Sequence, residues 1–234
     1  MLLSEFWTTR YWPSCSGLRE CTRVGYESAW RRHIRPRFGE TDLTDITGSA
    51  IDLWLAGIDS AGAARKAFAI LRQMLRKAVK WGLADRDATL MATPPKPSSY
   101  EPDVLDIRQI RQLLQGFYNH QLEAWLICSV TLGLRTEEAL GLEWTDINLA
   151  TGRVRVQRGV QWVDGHETIV EPKTPLSRRT VILPRFAIAR LREIKGHGRL
   201  VGNLNPGQVA RRYHSWCKTN RLPWVPRRNL RHSW

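Results

Sequence analysis

Three short clusters in this sequence carry the side chains best suited to handling a phosphoryl group. In the first, Thr131-Leu-Gly-Leu-Arg135-Thr-Glu-Glu138-Ala-Leu-Gly-Leu-Glu-Trp144, an arginine follows a glycine at the start of a helical pattern. Glu138 lies one turn on, so its carboxylate can reach back to the guanidinium. On an open surface such a pair contributes only about 0.3 kcal/mol. Held rigid, it becomes a fixed cation aimed from a helix start at an anionic ligand. The second cluster, Glu171-Pro-Lys173-Thr-Pro-Leu-Ser177-Arg178-Arg179, sets a lysine between two prolines that stiffen its surroundings. By composition alone it is an exposed turn lysine. The third, Arg227-Arg228-Asn-Leu-Arg231-His232-Ser-Trp234, is dense in donors and begins another helical pattern. Taken by itself it is a basic tail.

These clusters must be positioned by the surrounding elements, and the chain divides visibly into two parts. The run Ala92-Thr-Pro-Pro-Lys-Pro-Ser-Ser-Tyr100-Glu-Pro102 can neither sustain a helix nor donate to a central ladder. It therefore reads as a linker over 92–102 between a domain at 1–91 and a domain at 103–234. The first domain reads as all-helical. A helix capped by Thr22 runs to about Ile34, with Tyr26, Trp30 and Ile34 on one face, and Pro36 and Gly39 end it. A short helix over 47–57 starts at Thr47 or Ser49. A long one over 62–81 buries Ala64, Ala67, Phe68, Leu71, Met74, Leu75 and Ala78, and places Arg65, Arg72, Arg76 and Lys80 opposite them.

The second domain mixes both periods. Helical patterns cover 107–118, 120–132 and 135–142, with Gly133 breaking the second. Val154, Val156, Val160 and Trp162, the turn Asp164-Gly165, Ile169 and Val170, then Val181-Ile182-Leu183 predict a three-stranded antiparallel element. Helices follow at 186–195 and 206–218. The fold class is thus mainly α with a small antiparallel β-sheet, a helical domain joined to an α+β domain.

Composition narrows the function classes. The 234 residues carry 36 Lys+Arg against 22 Asp+Glu, a net charge of +14, so a polyanion is the expected partner. After Glu193 no acid follows, whereas Lys195, Arg199, Arg211, Arg212, Lys218 and Arg221 precede the third cluster. A charge run is commonly a solvated face, but one this long without an offsetting acid points to phosphate contact. No apolar run reaches the roughly 18 residues of a membrane span. The N-terminus lacks a secretory pattern, so a cytoplasmic, nucleoid-associated protein is expected. Four scattered cysteines form no CxxC pair, which argues against a disulfide framework and a zinc site.

In this order, and after this linker, the clusters resemble the tyrosine recombinase family of the phage-integrase type. The likeness extends to Thr22-Arg-Val-Gly-Tyr26 through Gly39, to Leu43-Thr-Asp-Ile46-Thr, and to Leu71 through Gly82, which look like the family's core-binding domain. The resemblance implies attack of a tyrosine on a phosphodiester, giving a 3′-phosphotyrosine, with no metal and no cofactor. It makes Arg135 and Arg231 the ligands of the scissile phosphate and Glu138 the group orienting Arg135. It also makes Lys173 the proton donor to the leaving 5′-oxygen and His232 a supporting ligand. Arg228 stands where the family usually has His or Lys; arginine can bind phosphate there but does not trade protons near neutral pH. Arg65, Arg72, Arg76, Lys80, Arg178 and Arg179 are then contacts to the DNA backbone.

The resemblance further implies double-stranded DNA as partner and a homotetramer on DNA for the full-length protein. A monomer free in solution and a bacterial or phage origin are expected, with no membrane role. The resemblance places the nucleophilic tyrosine beyond the third cluster; the five tyrosines, Tyr11, Tyr26, Tyr100, Tyr118 and Tyr213, all precede that cluster, so the catalytic domain reads as incomplete at its C-terminus and without its nucleophile. Two functions follow from different classes: a recombinase, or a catalytically inactive DNA-binding remnant of one. An RNA-binding reading lacks an aromatic RNP motif, KH loop or zinc knuckle.

Overall fold

The computed structural model describes residues 1–96, 100–163, 165–170 and 178–233. The chain forms two compact units, Met1–Tyr100 and Glu101–Trp234, and the division falls within the proline-rich stretch. No helix among the described residues is long and apolar enough to cross a membrane.

The first unit is helical. α1 (Leu3–Phe6) widens into a π-helical turn at Trp7–Tyr11, followed by α2 (Glu20–Ala29), a second π turn at Trp30–Ile34, and α3 (Arg35–Phe38). α4 (Gly48–Ala56) and α5 (Ala61–Lys80) complete it. Thr47 and Ser60 cap the last two, each side chain accepting from a backbone N–H three residues on. α5 buries the predicted stripe and Ile70 as well. Two indoles, Trp7 and Trp30, stack with ring centroids 4.6 Å apart and planes 5° from parallel, joining the two π turns in the core.

Two expectations are corrected here. α2 starts at Glu20, two residues before the proposed Thr22 cap, and Arg19 at its N-cap position makes no side-chain cap. Pro36 does not end the helix but lies inside α3. A proline lacks its N–H and crowds the carbonyl four residues back. The wider i→i+5 turn at Trp30–Ile34 relieves that conflict just before the proline, so the rod continues to Phe38.

In the second unit, α6 (Ile107–Gly116) begins with a capping box between Asp106 and Gln109. α7 (Glu123–Thr131) is buried on every side, as an element apolar all round must be. Gly133 then turns the chain at φ +57°, a conformation that a Cβ would disfavour, and releases it into α8 (Thr136–Gly141). Among the described residues five strands follow: β1 (Ile147–Asn148), β2 (Arg153–Val156), β3 (Gly159–Val163), β4 (His166–Val170) and β5 (Arg179–Ile182). Then come α9 (Arg185–Glu193), α10 (Pro206–Thr219) and the single turn α11 (Arg227–Leu230).

The strands do not form the one three-stranded element expected. They form a sheet of order β1-β2-β5 and a separate hairpin β3-β4. Val154 pairs with Val181 in the first, and Val160 with Ile169 in the second. The cause is Asp146, a 3% exposed carboxylate between α8 and β1. Gln157 Nε2 donates to its Oδ1 at 2.6 Å and Arg158 Nη1 to its Oδ2 at 2.6 Å. These two side chains, fixed between β2 and β3, pull the backbone out of one sheet and start the next. Hairpin and helix then pack backbone to backbone: a Cβ on Gly141 of α8 would lie 3.1 Å from the Gly159 Cα of β3. Gly141→Val is therefore expected to lower stability by about 2 kcal/mol through overpacking. A denaturant midpoint equal to that of the parent chain would contradict this close contact.

Candidate active site

Glu138 is the centre of the first arginine cluster. It lies one turn into α8 with only 7% of its surface exposed. Its Oε1 accepts from Arg135 Nη1 at 2.8 Å, and its Oε2 from the Arg135 backbone N–H at 2.8 Å. Arg179, at the start of β5, adds a second fork: Nη1 to Oε1 and Nη2 to Oε2, both at 2.9 Å. Burial works against the charge of Glu138, but the hydrogen bonds from Arg179 and from Arg135 override it and hold the pKa down at about 2. The pair is therefore not the weak surface contact that spacing alone allowed. Arg135 keeps about half of its side chain exposed, 49%, so one guanidinium faces outward from a buried anchor.

The third cluster sits on α11 and the residues after it. Asn229 is fully buried, and its carbonyl accepts from the His232 N–H at 2.9 Å. Ser233 Oγ accepts from the Leu105 N–H at 2.9 Å, tying the cluster to the start of the unit. Arg231 is half-buried at the helix end, whereas Arg228 and His232 are exposed. A cavity of about 300 Å³ is lined by Arg227, Arg228, Trp224 and Tyr213 together with Thr136, the residue after Arg135. Among the described residues no acid lines it, and the first cluster reaches this hollow of the third through Thr136 alone. Arg227 Nη1 is buried there without a hydrogen-bond partner, and desolvation lowers the pKa of this guanidinium. The lysine cluster cannot be added to this geometry: Lys173 lies outside the described residues.

In the first unit, Arg65, Arg72 and Arg76 of α5 line a groove of about 480 Å³ with Phe68, Pro94 and Pro95. Lys80 is exposed a turn beyond Arg76 and does not line it. Of the remaining proposed backbone contacts, Arg178 is exposed, but Arg179 is turned to Glu138. Sequence reasoning missed that turn, although a signal existed. Alternation along β5 puts Arg179 on the same face as Val181 and opposite Thr180 and Ile182, which face out. It also missed Arg227, for which a position beside the motif gives no signal.

The pH response follows from Glu138. Its folded pKa lies below the ordinary 4.5, so its contribution is complete above that value and is lost as the pH falls toward about 2. Glu138→Gln is expected to flatten that part of the stability profile in acid denaturation. Glu138→Ala, which strands two guanidinium groups, should cost about 3 kcal/mol at neutral pH. An unchanged acid limb in the glutamine variant would show that this carboxylate is not the group titrating.

Comparisons with known proteins bear on the fold. Residues 3–57 match the family model described as phage integrase, N-terminal SAM-like domain. A tyrosine recombinase XerC-like protein of Caldanaerobacter subterraneus is 24% identical over 201 residues, covering 77% of this chain and 51% of the relative. The chain spans about half the length of the curated relatives it matches. Among solved structures, the fold is similar to that of a lambda integrase dimer on a core site, at TM-score 0.74 and 20% identity over 100% of this chain and 88% of the other. It is also similar to Tn1549 transposon integrase bound to transposon right end DNA, at TM-score 0.81 and 14% identity over 100% and 85%. Residues 3–57 are thus similar to the N-terminal SAM-like domain of phage integrases, and the fold of the chain is similar to that of integrases solved on DNA.

Proposed function

We propose that this chain binds double-stranded DNA and supplies the phosphate-activating half of a site-specific recombination reaction. The observation that carries the reading is a half-exposed Arg135 anchored by a buried carboxylate, with its neighbour Thr136 lining a hollow shared with Arg227 and Arg228. In the reaction a tyrosine oxygen attacks phosphorus, the 5′-oxygen leaves, and a 3′-phosphotyrosine forms; the 5′-hydroxyl of a second DNA end then reverses the step. Negative charge grows on the non-bridging oxygens of the pentavalent phosphorus. Arg135 and Arg231 are the groups assigned to meet it, because each offers a planar, permanently charged fork. Lys173 is assigned the proton for the leaving oxygen, since lysine can be tuned for that task where arginine cannot. Arg228 binds phosphate without moving a proton, and His232 supports the same oxygens.

Binding is assigned to the groove of α5 with Arg65, Arg72 and Arg76, to Lys80 beside it, and to Arg178. For the full-length protein the assembly on DNA is a homotetramer, and free in solution the chain is a monomer. A second reading, DNA binding without cleavage, is favoured by the tyrosines. Tyr11 and Tyr213 are each 1% exposed, with hydroxyl pKa values raised by burial. Tyr26 donates to Gln73, and Tyr118 lies 3.5 Å beneath the Arg190 guanidinium. None of these four is poised to attack a phosphate.

Two measurements test these readings. Affinity for a duplex should fall steeply with salt, since each phosphate neutralised contributes about −0.9 to the slope of log K against log salt. Arg135→Ala should make that slope shallower by about 1. An association insensitive to salt would sink the DNA reading. A suicide duplex, built on the sequence the chain selects from a random pool, then separates the alternatives. A covalent adduct supports cleavage, and shifted but intact DNA supports binding alone.

A further inference from the structure

Both oxygens of Glu138 are used twice. Oε1 takes Arg135 Nη1 and Arg179 Nη1, and Oε2 takes the Arg135 N–H and Arg179 Nη2. A carboxylate has about four lone-pair sites, so this one is saturated. The two arginines are not equivalent in what they do to it. Arg135 contributes one guanidinium bond from a half-exposed side chain on the same turn of chain. Arg179 contributes a two-point fork from another element, which fixes the rotation of the carboxylate as well as its position. Without that fork, a single-point contact to Glu138 leaves the Arg135 guanidinium free to pivot. With it, the plane of the carboxylate, and so the direction in which Arg135 points, is set from β5.

The sharing also has an electrostatic side. One carboxylate between two guanidinium groups leaves a net positive charge at the site, so the anchor does not cancel the cation it holds. β5 begins at Arg179, the last residue of the lysine cluster and six residues after Lys173, so the strand that follows Lys173 is the one that holds the anchor of the first arginine. We propose that Arg179 is a positioning residue for Arg135, acting through Glu138, and not an independent contact to a DNA phosphate. The proposal rests on the reading of Arg135 as a phosphate ligand given above.

The test uses the full chain, a duplex of about 30 base pairs, some ten Debye lengths long, and four proteins: the parent, Arg135→Ala, Arg179→Gln and the double variant. Positioning predicts that each single variant makes the salt slope shallower by about 1 and that the double variant goes no further. Additive loss, about 2 in the double variant, would make Arg179 a phosphate contact of its own and overturn the proposal. So would an Arg179→Gln slope equal to that of the parent. If Arg135→Ala leaves the slope unchanged, the functional reading fails first and takes this premise with it. Nitrogen-15 NMR of the guanidinium groups reads the same geometry without DNA. Rotation of the Arg135 guanidinium should quicken in Arg179→Gln and slow again in Arg179→Lys, which restores the charge and one hydrogen bond. Equal rates in all three proteins would overturn the positioning role. Arg179→Lys also serves as the test variant should the glutamine protein fail to fold.

Discussion

A single buried carboxylate, Glu138, shared by two arginines, organises the second unit around its site. An unpaired carboxylate at that depth would protonate or unfold the turn that carries it. Here both its oxygens are filled, and the cost of burial is offset by charge-assisted hydrogen bonds from two elements. The consequence is that Arg135 is held from a buried anchor. α8 is only six residues long, too short to hold an arginine still by helical structure alone. The carboxylate supplies what the helix lacks, and β5 supplies what the carboxylate lacks.

The same device recurs away from the site. Glu123, 3% exposed at the start of α7, accepts Arg190 Nε at 2.6 Å and Nη2 at 3.0 Å, joining α7 to α9. Asp146 holds Gln157 and Arg158 between the two sheets. In a chain with a large cationic excess, each scarce buried acid can bind several donors. Three of them, Glu123, Glu138 and Asp146, join separate elements through arginines. The excess is therefore spent selectively: some cations build the frame, and others, such as Arg65, Arg76 and Arg228, stay at the surface.

Much of the helical frame was legible from periodicity. The stripe on α5 and the division near residue 100 follow directly from the spacing of apolar residues and the cluster of prolines. Where local rules failed, a neighbour had intervened. Pro36 ended the predicted helix on local grounds, and a π turn stabilised by stacked tryptophans carried the helix through it. The strands were found, but their pairing was not, because nothing near residues 157 and 158 announces that both reach back to Asp146.

What the sequence determined by itself was the inventory: two units, the order of the arginine clusters, the excess of cations, and the reach of Glu138 to an arginine three residues before it. These depend on spacing within one or two turns, which the polypeptide geometry fixes. Only the tertiary structure decided which cations turn to a buried carboxylate. Arg178 and Arg179 are adjacent and identical in type, yet one is exposed and the other forks onto Glu138. That difference is made by the alternation of a strand and by a carboxylate 41 residues away, a distance over which composition carries no information.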